Sequence, residues 1–181
     1  MSDTLPLFGF FARKRVEGMR PRLLRLAYAW CHDIDLSNDL VQEALTKGLT
    51  RSSQLRDAGA MESWLFSILN NCWRDHLRTR REFTDISELD EVIFDPAPGP
   101  EKQYASRQTA ARVRTAIATL PMAQRQVITL VDIEELSYAE VARILEVPVG
   151  TIMSRLSRAR QALKTSLQTE ELGRAPLRRV K

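Results

Sequence analysis

Apolar residues in this chain recur three and four positions apart and almost nowhere alternate, a spacing that predicts helices. Over Pro21–His32, the residues Leu23, Leu26, Ala27 and Trp30 share one face, and Pro21 suits a first turn where its missing N–H costs nothing. A second helix is predicted over Asn38–Leu49, with Ser37 as its N-cap. Leu40, Val41, Ala44 and Leu45 turn inward there, while Asp39, Gln42, Glu43 and Thr46 form the opposite stripe. A third is predicted over Met61–Arg81. Leu65, Ile68, Leu69, Cys72 and His76 mark its apolar face. Ser67, Asn71, Arg74, Arg78 and Arg81 fall in one narrow polar stripe, with Trp64 near its start.

The pattern then breaks. "EFTDISELDEVIFDPAPGPEK" clusters acids and closes with Pro96, Pro98, Gly99 and Pro100, which no helix or strand continues through. Residues 83–103 read as a linker. Its hydrophobes exceed what a purely solvated tether needs. Composition by itself favours an acidic spacer with a short amphipathic turn over a segment threading a partner. Beyond it, Gln103–Thr119 is a predicted helix with Ala110, Val113, Ile117 and Leu120 inward, and another begins at Pro121. Ser137-x-x-Glu140 is a capping box opening a third, and the last runs from about Pro148 to Leu167. The fold class is therefore all-α: two small helical domains, 1–82 and 104–167, joined by an acidic, proline-containing linker and followed by a basic tail at 168–181.

Charge sharpens this division. Residues 1–81 carry 13 Lys/Arg against 9 Asp/Glu, residues 82–101 carry 7 acids and no base, and residues 102–181 carry 14 bases against 7 acids. The blocks of +4, −7 and +7 sum to the net +4, and suggest two modules facing polyanions around a connector that avoids them. No apolar run approaches the roughly 20 residues of a membrane span, and the N-terminal apolar patch lacks the layout of a signal peptide. Two cysteines make no disulfide framework, so an intracellular, cytoplasmic protein is expected.

The stretch "SYAEVARILEVPVGTIMSRLSRARQAL" carries the clearest chemistry. Two short helices flank the tight connection "EVPVG", and Ile152, Leu156, Ala159 and Leu163 make a buried stripe on the second. Thr151, Ser154, Arg155 and Arg158 lie on the opposite side, and no acid occurs from Val147 to Thr169. A solvated basic helix would show the same charge. The capped preceding helix, the short turn and the acid-free span together point instead to a helix-turn-helix. Arg reads guanine bidentately, Ser and Thr adapt to base or phosphate, and the basic flank adds salt-sensitive attraction.

"SNDLVQEALTKGL", "SWLFSILNNCWRDHLRTRR", "LPMAQRQVITLVDIEELSYAEVARIL" and "VPVGTIMSRLSRARQAL" stand in the order of sigma-70-type factors. Over about residues 19–82 and 104–167 the chain resembles the extracytoplasmic-function group of that family. The resemblance implies a first domain that binds core RNA polymerase and melts the −10 element, and a second that binds the −35 element. By the same resemblance Asp39, Gln42 and Glu43 contact the clamp helices of the polymerase β′ subunit, and the β flap is a further polymerase contact. Asn71 holds a flipped-out −10 base of the non-template strand, and Leu55 lines its pocket. An amide suits a base edge, and Arg74, Arg78 and Arg81 are placed to hold the backbone. Trp64 is placed to stack on a base, whereas Trp73, off the polar stripe, reads as core. Thr151, Ser154, Arg155 and Arg158 take the −35 contacts, with Met153 where some members carry a base. The resemblance also implies a linker passing through the polymerase near the active site, a monomer when free, and an anti-sigma partner.

Other chemistry is weaker. Cys72 and His76 lie one turn apart and Cys31-His32 adds two donors, but the first pair sits on the apolar stripe, so no metal or cofactor is expected. No glycine-rich phosphate loop or nucleophile motif occurs, and no enzymatic activity is expected. Two alternatives stay open: a stand-alone helix-turn-helix regulator, and a sigma-like protein that sequesters an anti-sigma factor.

Overall fold

The computed structural model describes residues 13–52, 55, 57–83 and 104–173, and all regular structure among them is helical. The predicted linker, but for Phe83, lies outside the described residues. In the first half, α1 (Arg20–Cys31) packs on α2 (Ile34–Thr50), α2 packs on α3 (Met61–Phe83), and a 3-10 turn, Ala58–Ala60, leads into α3. In the second half, α4 (Tyr104–Ala118) is followed by α5 (Met122–Ile128), which widens into a π-helical turn, Thr129–Ile133. α6 (Tyr138–Leu145) and α7 (Val149–Gly173) complete it. Among the described residues no helix is long and apolar enough to cross a membrane.

The second helix starts four residues before the predicted position, and Ser37 is not its cap. His32 leaves α1 in the left-handed region (φ 55), its N–H donating to Tyr28 O at 2.9 Å. The chain thereby reverses at once, and the Asp33 carboxylate caps α2 by accepting from the N–H groups of Asp35 (2.9 Å) and Leu36 (3.0 Å). Ser37 is instead buried inside the helix, its hydroxyl donating to Asp33 O and sharing a hydrogen bond with Cys31 Sγ. Gly48 lets α3 approach closely: a Cβ there would stand 2.7 Å from Leu65 Cδ2.

One apolar core runs through both halves. Leu23, Leu26, Trp30, Phe66 and Leu69 belong to the same cluster as Val127, Leu130, Ile144, Ile152 and Leu156. The halves dock along two seams, α1 on α5 and α3 on α6. Polar contacts tie the seams together. The Trp30 indole donates to Thr129 Oγ1 at 3.0 Å, and Arg125 Nη1 donates to Trp30 O at 2.8 Å. Arg125 Nη2 also reaches the carbonyls of Ala118 (2.7 Å) and Leu120 (2.9 Å), so the cation sits at the negative end of α4. Glu134, its side chain almost fully buried, accepts from Arg22 Nε at 2.6 Å. Arg22 in turn pairs with Glu62 at 2.6 Å and lies 5.4 Å over the Phe66 ring.

Candidate nucleic-acid interface

The polar stripe of α3 forms one wall of a groove. Asn71, Arg74 and Arg78 line it, and all three are exposed. The end of α2 contributes Lys47 and Arg51, and the turn after α6 contributes Glu146. Four cations therefore surround Asn71 against two carboxylates, Asp75 and Glu146. Lys47 is held by Glu43 at 2.7 Å, Arg78 by Asp75 at 3.4 Å, and Arg74 by Glu146. The Glu43 contact raises the Lys47 pKa, keeping that ammonium charged. A basic channel with an amide in its wall suits a single strand, whose backbone needs cations and whose bases need an edge reader.

Lys47 and Arg51 escape sequence reasoning because they sit on a different helix. The only trace is that Lys47 lies four residues after Glu43, continuing the α2 stripe. Arg81 lies in the last turn of α3. Leu55 and Trp64 do not line this groove. Leu55 is half-buried against the core, its N–H donating to Ser52 O at 3.2 Å, and Trp64 is half-buried beside Gly48. Trp73 is buried, its indole directed to Met122 Sδ at 3.2 Å, in keeping with a core role.

Asp39, Gln42 and Glu43 emerge together on the exposed side of α2, lining one shallow face with Thr46 and Lys47. Buried Leu40, Val41, Ala44 and Leu45 hold the opposite side, which fixes the rotation of the helix and hence this stripe.

The helix-turn-helix is built as its sequence indicates. Ser137 Oγ accepts from Glu140 N–H at 3.3 Å, and Glu140 Oε2 accepts from Ser137 N–H at 2.9 Å. The Ser137 hydroxyl and N–H hold the Glu140 carboxyl below its usual range. α6 ends at Glu146 in the left-handed region (φ 56), and Pro148 O accepts from Thr151 and Ile152 N–H to start α7. Ile152, Leu156 and Ala159 are buried, leaving Ser154 and Arg158 exposed and Thr151 and Arg155 half-buried. Arg155 is thus nearer the edge of the exposed face than its centre. Arg158 folds back along the helix, donating to Ser154 O at 3.2 Å and Ser154 Oγ at 3.3 Å. Arg160 is drawn to Asp132 at 2.6 Å. Ser157 and Gln161 are exposed beside Ser154 at helical spacing, and the sequence reading overlooked them.

The two thiols, Cys31 and Cys72, are buried, and burial pushes both pKa values up. His76 stacks on Trp73, with ring centroids 5.7 Å apart. No group of His, Cys, Asp or Glu that could hold a metal ion occurs among the described residues.

Described residues that are all helical, with a basic groove, a capped helix-turn-helix and a separate acidic stripe, have the class of a bipartite DNA-binding transcription factor. Comparison with known proteins makes this specific. The family described as Sigma-70 region 2 matches residues 16–83, and that described as Sigma-70, region 4 matches residues 110–163. The RNA polymerase sigma-H factor of Pseudomonas aeruginosa is 32% identical over 156 residues, covering 81% of each chain. The ECF RNA polymerase sigma factor EcfG of Rhodopseudomonas palustris is 32% identical over 83% of this chain and 81% of its own. Among solved structures, the sigma factor RpoE in complex with the anti-sigma factor NepR from Bartonella quintana superposes with a TM-score of 0.69. It is 28% identical over 86% of this chain and 95% of its own. The chain belongs to the sigma-70 family, in its extracytoplasmic-function group, and is a transcription initiation sigma factor rather than an enzyme.

Proposed function

We propose that this sigma factor docks on core RNA polymerase through Asp39, Gln42 and Glu43 at the β′ clamp helices, with its second domain on the β flap. Asn71 then takes a flipped −10 base of the non-template strand. Arg74, Arg78 and Arg81, with Lys47 and Arg51, carry the adjoining phosphates, and Leu55 and Trp64 shape the approach. Thr151, Ser154, Arg155 and Arg158 read the −35 duplex from the major groove, joined by Ser157 and Gln161. Each contact set is modest, and attachment to one polymerase makes them act at high effective concentration. Residues 1–82, 83–103 and 104–167 are accordingly the −10 domain, the connector through the polymerase and the −35 domain. The protein works in the cytoplasm, and an anti-sigma factor is a proposed partner, by analogy with the relative solved bound to one.

The observation that carries this reading is the convergence of Asn71, Arg74 and Arg78 with two cations of α2 on one groove. Run-off transcription with purified core polymerase and a genomic promoter pool tests it. Discrete transcripts that depend on this chain, and disappear with Asn71→Ala and Arg158→Ala together, are expected. Duplex binding by the chain alone, with no specific transcript, contradicts it.

A further inference from the structure

Sulfur is protected at all but one of the described positions that carry it. Both thiols are buried, and burial pushes their pKa values up, which keeps them in the poorly reactive protonated form. Met19 and Met61 belong to the core. Met122 is half-buried, and its Sδ accepts the Trp73 indole N–H at 3.2 Å, which engages the lone pair that an oxidant attacks. Met153 alone among these four methionines is exposed, at 54%.

The helix fixes where that sulfur stands. Ile152 and Leu156 are buried, so Met153 turns outward beside exposed Ser154, with exposed Ser157 one turn further on. Val149, one turn before it, is exposed as well. Core packing therefore gives no reason for a thioether at this position. No acid occurs from Val147 to Thr169, so the local field repels neither a neutral nor an anionic oxidant.

We infer that Met153 is a reversible oxidation site, and that its conversion to the sulfoxide by a peroxide weakens −35 binding. The inference rests on the proposed −35 reading. A sulfur lone pair attacks one oxygen of hydrogen peroxide. The S–O bond forms, the O–O bond breaks, sulfur gives up two electrons, and the second oxygen leaves as water with both protons. Methionine sulfoxide reductases reverse the step: the sulfoxide oxygen leaves as water while two thiols close to a disulfide.

Oxidation keeps the length of the side chain and makes its end polar. A sulfoxide accepts hydrogen bonds and donates none. The major groove offers it few partners: phosphates, N7, O6 and O4 are acceptors too, and the thymine methyl is apolar. Only the amino groups of adenine and cytosine suit it. An acceptor pressed elsewhere into the groove loses water without gaining a donor, and affinity falls.

Peroxide treatment of the full chain tests this. Wild type and Met153→Leu are treated with hydrogen peroxide, cleared of it with catalase, and only then combined with core polymerase, so that the polymerase is never oxidised. Peptide mass spectrometry reads the site. Holoenzyme affinity for a promoter from the run-off pool reads the effect, each chain against its own untreated form. Met153 is expected to gain oxygen about tenfold faster than Met19, Met61 or Met122, since susceptibility follows exposure. Treated wild type is expected to bind about three- to tenfold more weakly, for want of a donor in the groove, and to recover after the two epimer-specific reductases. Met153→Leu, with no sulfur at that position, is expected to be indifferent to treatment. Untreated Met153→Gln, polar at similar length, is expected to bind as weakly as oxidised wild type. Earlier oxidation at a buried methionine overturns the inference. So does full conversion of Met153 with affinity unchanged, or an equal loss in treated Met153→Leu. In those cases the −35 reading survives if scrambling the −35 element still weakens the untreated holoenzyme. A scrambled element bound as well as the native one sinks both.

Discussion

Met153 is the residue at which this reading helix departs most from a polar face. It is 54% exposed, one position from Ser154, in the first turn and a half of α7. An apolar side chain on such a face has one partner of its own kind in the major groove, the thymine 5-methyl group. Burying one methyl is worth about 0.8 kcal/mol, or roughly fourfold in affinity. Replacing thymine by uracil in the −35 element that this helix is proposed to read should therefore weaken wild-type binding two- to fourfold, and Met153→Lys should abolish the difference. A uracil penalty that persists in Met153→Lys would assign the methyl contact elsewhere. Residue identity was well served by the sequence at this scale: Asn71, Arg74, Arg78 and Ser154 are exposed where helical spacing put them. The neighbouring pair Asn70 and Asn71 shows the limit. They are chemically identical, and only the packing of α6 on α3 buries one and leaves the other facing the groove.

Helix α2 carries the acidic stripe, and its start is set by competition between two side chains able to cap. Ser37 precedes a good apolar pattern, so periodicity favours it. Asp33 wins because His32 turns the chain immediately after α1, which exposes the Asp35 and Leu36 N–H groups to a carboxylate. Asp33→Ala is expected to cost about 1 kcal/mol in urea unfolding, as loss of an N-cap does. A loss below a few tenths would show that α2 is held by packing alone. The capping box of α6, by contrast, was legible from four residues, because its two hydrogen bonds are local. The π turn at Thr129–Ile133 was not. It shows in the Glu134 N–H donating to Thr129 O at 3.0 Å, and it turns Thr129 and Glu134 toward α1, a demand that arises only once the halves meet.

The whole molecule adds a pH dependence. His32 sits at the seam beside Arg125, and burial, reinforced by that positive charge, lowers its pKa from 6.5 to about 4. The folded chain thus resists a proton that the unfolded chain accepts. Stability is undiminished above pH 6.5, falls as pH drops from 6.5 towards 4, and levels off below. Between pH 7.5 and 5 the loss due to this one group is about 2 kcal/mol. Urea midpoints at the two pH values check it, since His32→Asn should lose about that much less than wild type. Equal losses in the two proteins would place the titration elsewhere.

Local physics alone determined a good deal: apolar spacing set the helices and their inward faces, and the capped pair with its acid-free second helix marked the helix-turn-helix. These features are legible because each depends on residues within one or two turns of each other. Tertiary structure alone decided that Lys47 and Arg51 join Asn71, that Asn70 is buried, that Glu146 meets Arg74, and that the halves share one core. Pairings across the halves join residues more than a hundred positions apart, such as Arg22 and Glu134. Nothing in a helical period specifies which faces meet. That choice is made by the burial of apolar surface and the pairing of the polar groups trapped beneath it.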